Sequence, residues 1–140
     1  MTAYEDKTLD ELEGESTDNF EYDSYVVKNC QRLRRVPLQQ FTIEDLRLMV
    51  GQGFSLEYLV PIALKHLETF PFVEGDFYTG DLLDSVLGIS GKFWLEHPAL
   101  QQKMNLIVAK AINEFNSIEI DDELSGEMKA KLNDFEICKA

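Results

Sequence analysis

The chain has 140 residues, of which 44% are hydrophobic and 28% charged, and its formal net charge is −13. That length holds one core without staples, and the acidity excludes a protein that grips nucleic acid or an anionic membrane through a basic face. No run of about 18 apolar residues could span a bilayer, and the acidic start MTAYEDKTLDELEGE has no signal-peptide pattern. The expectation is one cytoplasmic domain over 1–140, with 1–23 an acidic N-terminal segment.

The charge is unevenly spread. Residues 1–25 sum to −8, 26–50 to +3, 51–90 to −5 and the remainder to −3. Cys30 and Cys138 form no metal-ligand pattern and read as free thiols in a reducing compartment.

In chain order, Thr8-Leu-Asp-Glu11 has capping-box spacing and predicts a short helix ending at Gly14. Residues 15–23 read as extended. Ser24 is the expected cap of a helix running to about Val36, with Val26, Val27, Cys30 and Leu33 inward and a basic stripe of Lys28, Arg32 and Arg35 outward. Thr42-Ile-Glu-Asp45 repeats the capping signal and opens a helix that ends at Gly51 or Gly53. Ser55 is the expected cap of the next helix, to about Thr69, with Pro61 inside it and expected to bend it. Pro71 closes that segment.

The stretch Val73-Glu-Gly-Asp-Phe-Tyr-Thr-Gly-Asp-Leu-Leu83 follows. Gly75 and Gly80 permit turns, and Thr79 or Asp81 is the expected cap of a helix near 80–88. Ser90 caps a short helix holding Phe93, Trp94 and Leu95, and Pro98 suits the first turn of another. In that helix Leu100, Met104, Ile107, Val108, Ala111, Ile112 and Phe115 recur at three and four. Leu124, Met128, Leu132 and Phe135 give a last helical period. The expected class is all-α, a compact single-domain bundle of seven to eight helices.

The chemical inventory is thin. His66 and His97 sit in no metal-binding motif, and Gly51-Gln-Gly53 reads as a helix end, not a dinucleotide loop. Gly88-Ile-Ser-Gly91 is not the nucleophile elbow. Glu74, Asp76, Asp81 and Asp84 supply enough oxygens for a hard cation, but their spacing is not that of a calcium loop. The expectation is no enzyme, no metal and no cofactor. Phe70, Phe72, Phe77, Tyr78, Phe93 and Trp94 crowd into twenty-five residues, and most of them are expected in the core. Tyr78, beside acids, reads equally as core or as a docking anchor.

Several stretches in order carry a resemblance: TLDELEG at 8–14, YDSYVVKNCQRLR at 22–34, LRRVPLQQFTIEDLRLMVGQGFSLEYLVPIAL at 33–64, FVEGDFYTGDLLDSVL at 72–87 and FWLEHPAL at 93–100. Together they resemble the immunity proteins of bacterial contact-dependent growth inhibition (CDI), over roughly residues 8–100. The C-terminal 40 residues share only helicity with that family. The resemblance implies a protein that binds the C-terminal toxin domain of a large exported protein, often a nuclease, and blocks its active site or a nearby surface.

Charge fits that implication. A nuclease cleft is basic because it attracts phosphates, and an acidic protein associates with it quickly. The candidate toxin-binding residues are Asp18, Phe20, Glu21, Tyr22 and Asp23 in the acid-rich segment 10–23, where Tyr25 is also interleaved, and Glu74, Asp76, Tyr78, Asp81 and Asp84 in the second acidic region. For segment 10–23 the competing expectation is a solvated tail, or one folded back on Lys28, Arg32 and Arg35. The alternative for the whole chain is an acidic helical adaptor for another basic protein.

Overall fold

A computed structural model describes residues 4–14, 25–115 and 122–138, and the described residues form eight α-helices with no strand. The helices are α1 (Leu9–Glu13), α2 (Tyr25–Leu33), α3 (Ile43–Gly51), α4 (Leu56–Thr69), α5 (Asp81–Leu87), α6 (Gly91–Glu96), α7 (Pro98–Glu114) and α8 (Asp122–Cys138), with a 3-10 turn at Leu38–Gln40. The all-α expectation holds.

Local chemistry explains most of the boundaries. Both Thr-x-x-acid signals are complete capping boxes. Thr8 and Glu11 exchange side-chain-to-backbone bonds of 3.1 and 3.2 Å, and Thr42 and Asp45 do so at 3.0 and 3.1 Å. At the end of α3, Gly53 takes φ +77. The Phe54 N–H reaches Met49 O at 3.0 Å and the Gly53 N–H reaches Val50 O at 2.9 Å, a Schellman ending. Ser90 accepts from the Lys92 N–H at 3.2 Å to cap α6, and Pro98 opens α7.

Two expected caps differ. Ser55 makes no cap bond. It sits at φ +53, and its hydroxyl donates instead to Glu13 Oε1 at 2.8 Å, tying α4 to the end of α1. The residue before α5 is Gly80, in the left-handed region at φ +83, and no side chain caps that helix. The Ser24 cap lies outside the described residues.

α4 lies at the centre, against α3, α5 and α7. Leu59, Val60, Ile62, Ala63, Leu64 and Leu67 are all buried, so this helix is apolar around most of its circumference. It runs unbroken through Pro61. An interior proline costs a helix about 3 kcal/mol, whereas each large buried side chain returns about 1.5–3 kcal/mol, so tertiary burial outweighs the lost hydrogen bond.

α3 packs on α5, α5 and α7 pack on α8, and α6 packs on α7. Phe72, Leu82, Leu83, Val86, Trp94, Met104, Met128 and Leu132 continue the buried core toward the C-terminus. Cys30 is a buried free thiol whose pKa burial pushes up. Among the described residues no helix is long and apolar enough to cross a membrane.

The described part of the acidic N-terminal segment is a packed strap, not a solvated tail. Leu9 is fully buried, and the backbone is pinned by Gln39 N–H to Glu5 O at 2.8 Å, Leu38 N–H to Lys7 O at 3.0 Å and Asp10 N–H to Arg34 O at 3.1 Å. Tyr4 stacks edge-on with Tyr58 and donates to the Tyr58 carbonyl at 2.8 Å. Burial, with Glu5 nearby, pushes its phenol up to about 12. The acids of α1 fold back mainly onto Arg34, outside the expected stripe: Asp10 at 2.9 Å and Glu13 at 2.8 Å, with Arg35 only at 3.9 Å from Asp10.

Candidate functional site

The second acidic region forms a closed loop between α4 and α5. Pro71 and Phe72 are buried at its base, and the Gly80 N–H returns to the Phe72 carbonyl at 3.1 Å. Gly80 permits the turn. A Cβ there would lie 3.2 Å from both Phe72 Cδ1 and Met128 Cε, in a backbone conformation that L residues avoid.

Asp81 holds this loop from inside. It is 1% exposed, and its carboxylate accepts from the backbone N–H groups of Gly75 at 2.6 Å, Phe77 at 3.1 Å and Tyr78 at 3.4 Å. A buried carboxylate is costly to desolvate unless such charge-assisted bonds satisfy it. The expected cap is thereby inverted: Asp81 bonds to the chain before the helix, not to the helix it begins.

Gly75 completes the fit, because its backbone passes between two carboxylates. A Cβ there would meet Glu44 Oε1 at 2.9 Å and Asp81 Oδ2 at 3.0 Å. Thr79, the other expected cap, donates instead to Glu74 at 2.9 Å.

The five candidates of this region therefore play different parts. Glu74 and Asp76 are exposed. Asp81 faces inward. Tyr78 is part-buried, and its hydroxyl donates to Asp84. Burial, and then that bond, push the phenol pKa well above its ordinary value. Asp84 also receives Lys131 of α8 in a close ion pair. Tyr78 and Asp84 thus join the loop to α5 and α8. Asp18, Phe20, Glu21, Tyr22 and Asp23 lie outside the described residues.

α3 contributes residues that sequence reasoning missed. Arg47 donates to both oxygens of Glu44, at 2.7 and 2.6 Å. The same Glu44 Oε1 accepts the Asp76 N–H at 3.1 Å. The bond from Arg47 holds the Glu44 carboxyl below the usual carboxylate range, against its partial burial. The Arg47 guanidinium lies 4.2 Å from the ring centroid of Phe77. The three-residue spacing of Glu44 and Arg47 on one helix is readable in sequence. Their attachment to a loop thirty residues away is not.

A cleft of about 550 Å³ opens between one side of α2, the start of α3 and this loop, with Arg32, Glu44, Asp45, Glu74 and Asp76 among its lining. Tyr25, 80% exposed, stands at its edge. Among the described residues no group of three or more His, Cys, Asp or Glu is placed to hold a metal ion. His97 stacks on Phe93 at 4.3 Å, with Nδ1 2.8 Å from the Phe93 carbonyl, and so braces the α6–α7 junction.

Fold and site define a helical protein that presents a rigid acidic loop beside an acid-lined cleft. The family model of CDI immunity proteins matches residues 11–104, about two thirds of the chain, and the chain belongs to that family. It is a toxin-neutralising immunity protein by that membership, in a family that is generally non-enzymatic. No curated protein matches the chain. The matched span takes in α2 to α6 entirely and ends within α7, so α8 lies beyond it. α8 nevertheless supplies Met128 beneath Gly80, Lys131 to Asp84 and Phe135 against Trp94, at 5.6 Å between ring centroids.

Proposed function

We propose that the protein neutralises a basic nuclease toxin by covering its active site or substrate-binding surface, with the acid-lined cleft and the 74–84 loop at the interface. One observation carries this reading: exposed carboxylates, Glu74 and Asp76, project from a loop whose backbone is already fixed. Acids in that setting accelerate encounter with a phosphate-binding cleft, and a rigid loop loses little entropy on docking.

Glu74 and Asp76 supply the steering charge. Asp81 gives the loop its shape, and Tyr78 with Asp84 anchors it to α5 and α8. Asp18, Phe20, Glu21, Tyr22 and Asp23 add a second acidic, aromatic stretch that leads into exposed Tyr25. The chain works in the cytoplasm as one domain, where a delivered toxin would meet its substrates.

Co-expression with the toxin domain encoded beside it tests the reading. The expected outcome is a co-purifying complex, protected cells and loss of RNA or DNA cleavage. Separate elution with unprotected cells contradicts it.

A further inference from the structure

Phe77 is 66% exposed, and it belongs neither to the buried core nor to the side chains packed against that core. A lone exposed apolar residue needs no explanation. The surroundings of this one do. Its own N–H and those of Gly75 and Tyr78 are held by the buried Asp81 carboxylate. The preceding N–H, of Asp76, is held by Glu44. Arg47 lies over the ring at 4.2 Å while gripping Glu44 with two bonds, so the guanidinium itself has little freedom. The fold thus fixes the backbone that carries an aromatic side chain, and sets Arg47 over its ring, without burying it.

We propose that Phe77 is the preset anchor of the toxin interface and that Arg47 is its positioning residue. The partner surface is an apolar socket rimmed by basic side chains. This deepens the immunity reading and rests on it. Arg47 occupies one side of the ring, and the exposed remainder is what a socket can cover. Glu74 and Asp76, exposed on the same loop, meet the basic rim. Aromatic anchors entering pockets carry much of the energy of protein interfaces, and holding them ready slows release.

The test uses the full chain and the cognate toxin domain, with dissociation followed by biolayer interferometry. Phe77→Ala is expected to raise the dissociation rate about thirty-fold, the scale of an interface hot spot, with an unchanged melting curve. Arg47→Ala is expected to raise it less, and the double variant Arg47→Ala/Phe77→Ala to match Phe77→Ala alone, because Arg47 acts through the ring. A purely structural role for Arg47 would instead add its effect. An unchanged dissociation rate in Phe77→Ala, with wild type binding normally, overturns the anchor and leaves the immunity reading standing. A melting temperature lowered by several degrees in Phe77→Ala assigns the ring to the fold and overturns it too. Failure of the wild-type chain to bind removes both.

Discussion

Asp76 and Asp81 are the same side chain five residues apart, and the fold uses them in opposite ways. Asp76 is exposed and offers charge, whereas Asp81 is 1% exposed and gathers three backbone N–H groups. Nothing local distinguishes them, because the difference lies in how the chain closes over Phe72. Removing the buried acceptor leaves three donors unsatisfied, so Asp81→Ala is expected to lose about 3 kcal/mol in urea unfolding. Glu44 gives a pH-dependent counterpart. Its pKa is lowered from 4.5 in the folded state, chiefly by the bond from Arg47. A lowered folded pKa adds stability that is fully present above the unfolded value and is lost as pH falls through the folded one. The stability gap between wild type and Glu44→Gln should therefore be constant near neutrality and shrink as pH falls below 4.5. A gap that holds down to strongly acid pH would show that the pair contributes nothing through its charge.

At the scale of elements, most of the fold was legible because it is written in short-range chemistry. The threonine boxes at Thr8 and Thr42, the glycine ending at Gly53, Ser90 before α6 and Pro98 at the head of α7 act within four residues of themselves. The apolar period of α7 likewise reports its buried face. The misreadings share a cause, which is a partner outside the expected helix that outcompetes the helix N-terminus for the side chain. Ser55 turns to Glu13, Thr79 to Glu74, and Asp81 to the loop behind it. Pro61 lies inside α4, as the sequence places it, in a helix that three neighbours bury. Gly80 looked like a generic turn residue, yet it is where α5, α8 and the loop converge. Gly80→Ala forces a left-handed alanine, worth about 1–2 kcal/mol, and adds a Cβ 3.2 Å from Phe72 and Met128. Urea unfolding should show a loss of about 2 kcal/mol or more, and a neutral result would mean the loop base can relax.

Across the whole molecule, the charge pattern and the ordered motifs pointed to a partner before any geometry did. The matched span confirms the family over residues 11–104. What sequence left unread was the division of the acids. Asp10 and Glu13 pair with Arg34, and Asp84 pairs with Lys131. Glu74 and Asp76 remain outward. Replacing them together, Glu74→Gln with Asp76→Asn, should lower the association rate about tenfold at low salt and flatten its salt dependence, with little change in dissociation. An unchanged salt dependence would place the steering charge elsewhere. The proposed neutralisation of a nuclease is tested most directly by an RNA and DNA cleavage assay of the cognate toxin domain, titrated with this protein. Cleavage of RNA or DNA is expected to fall linearly to nothing at one equivalent. Full cleavage at a large molar excess would contradict it.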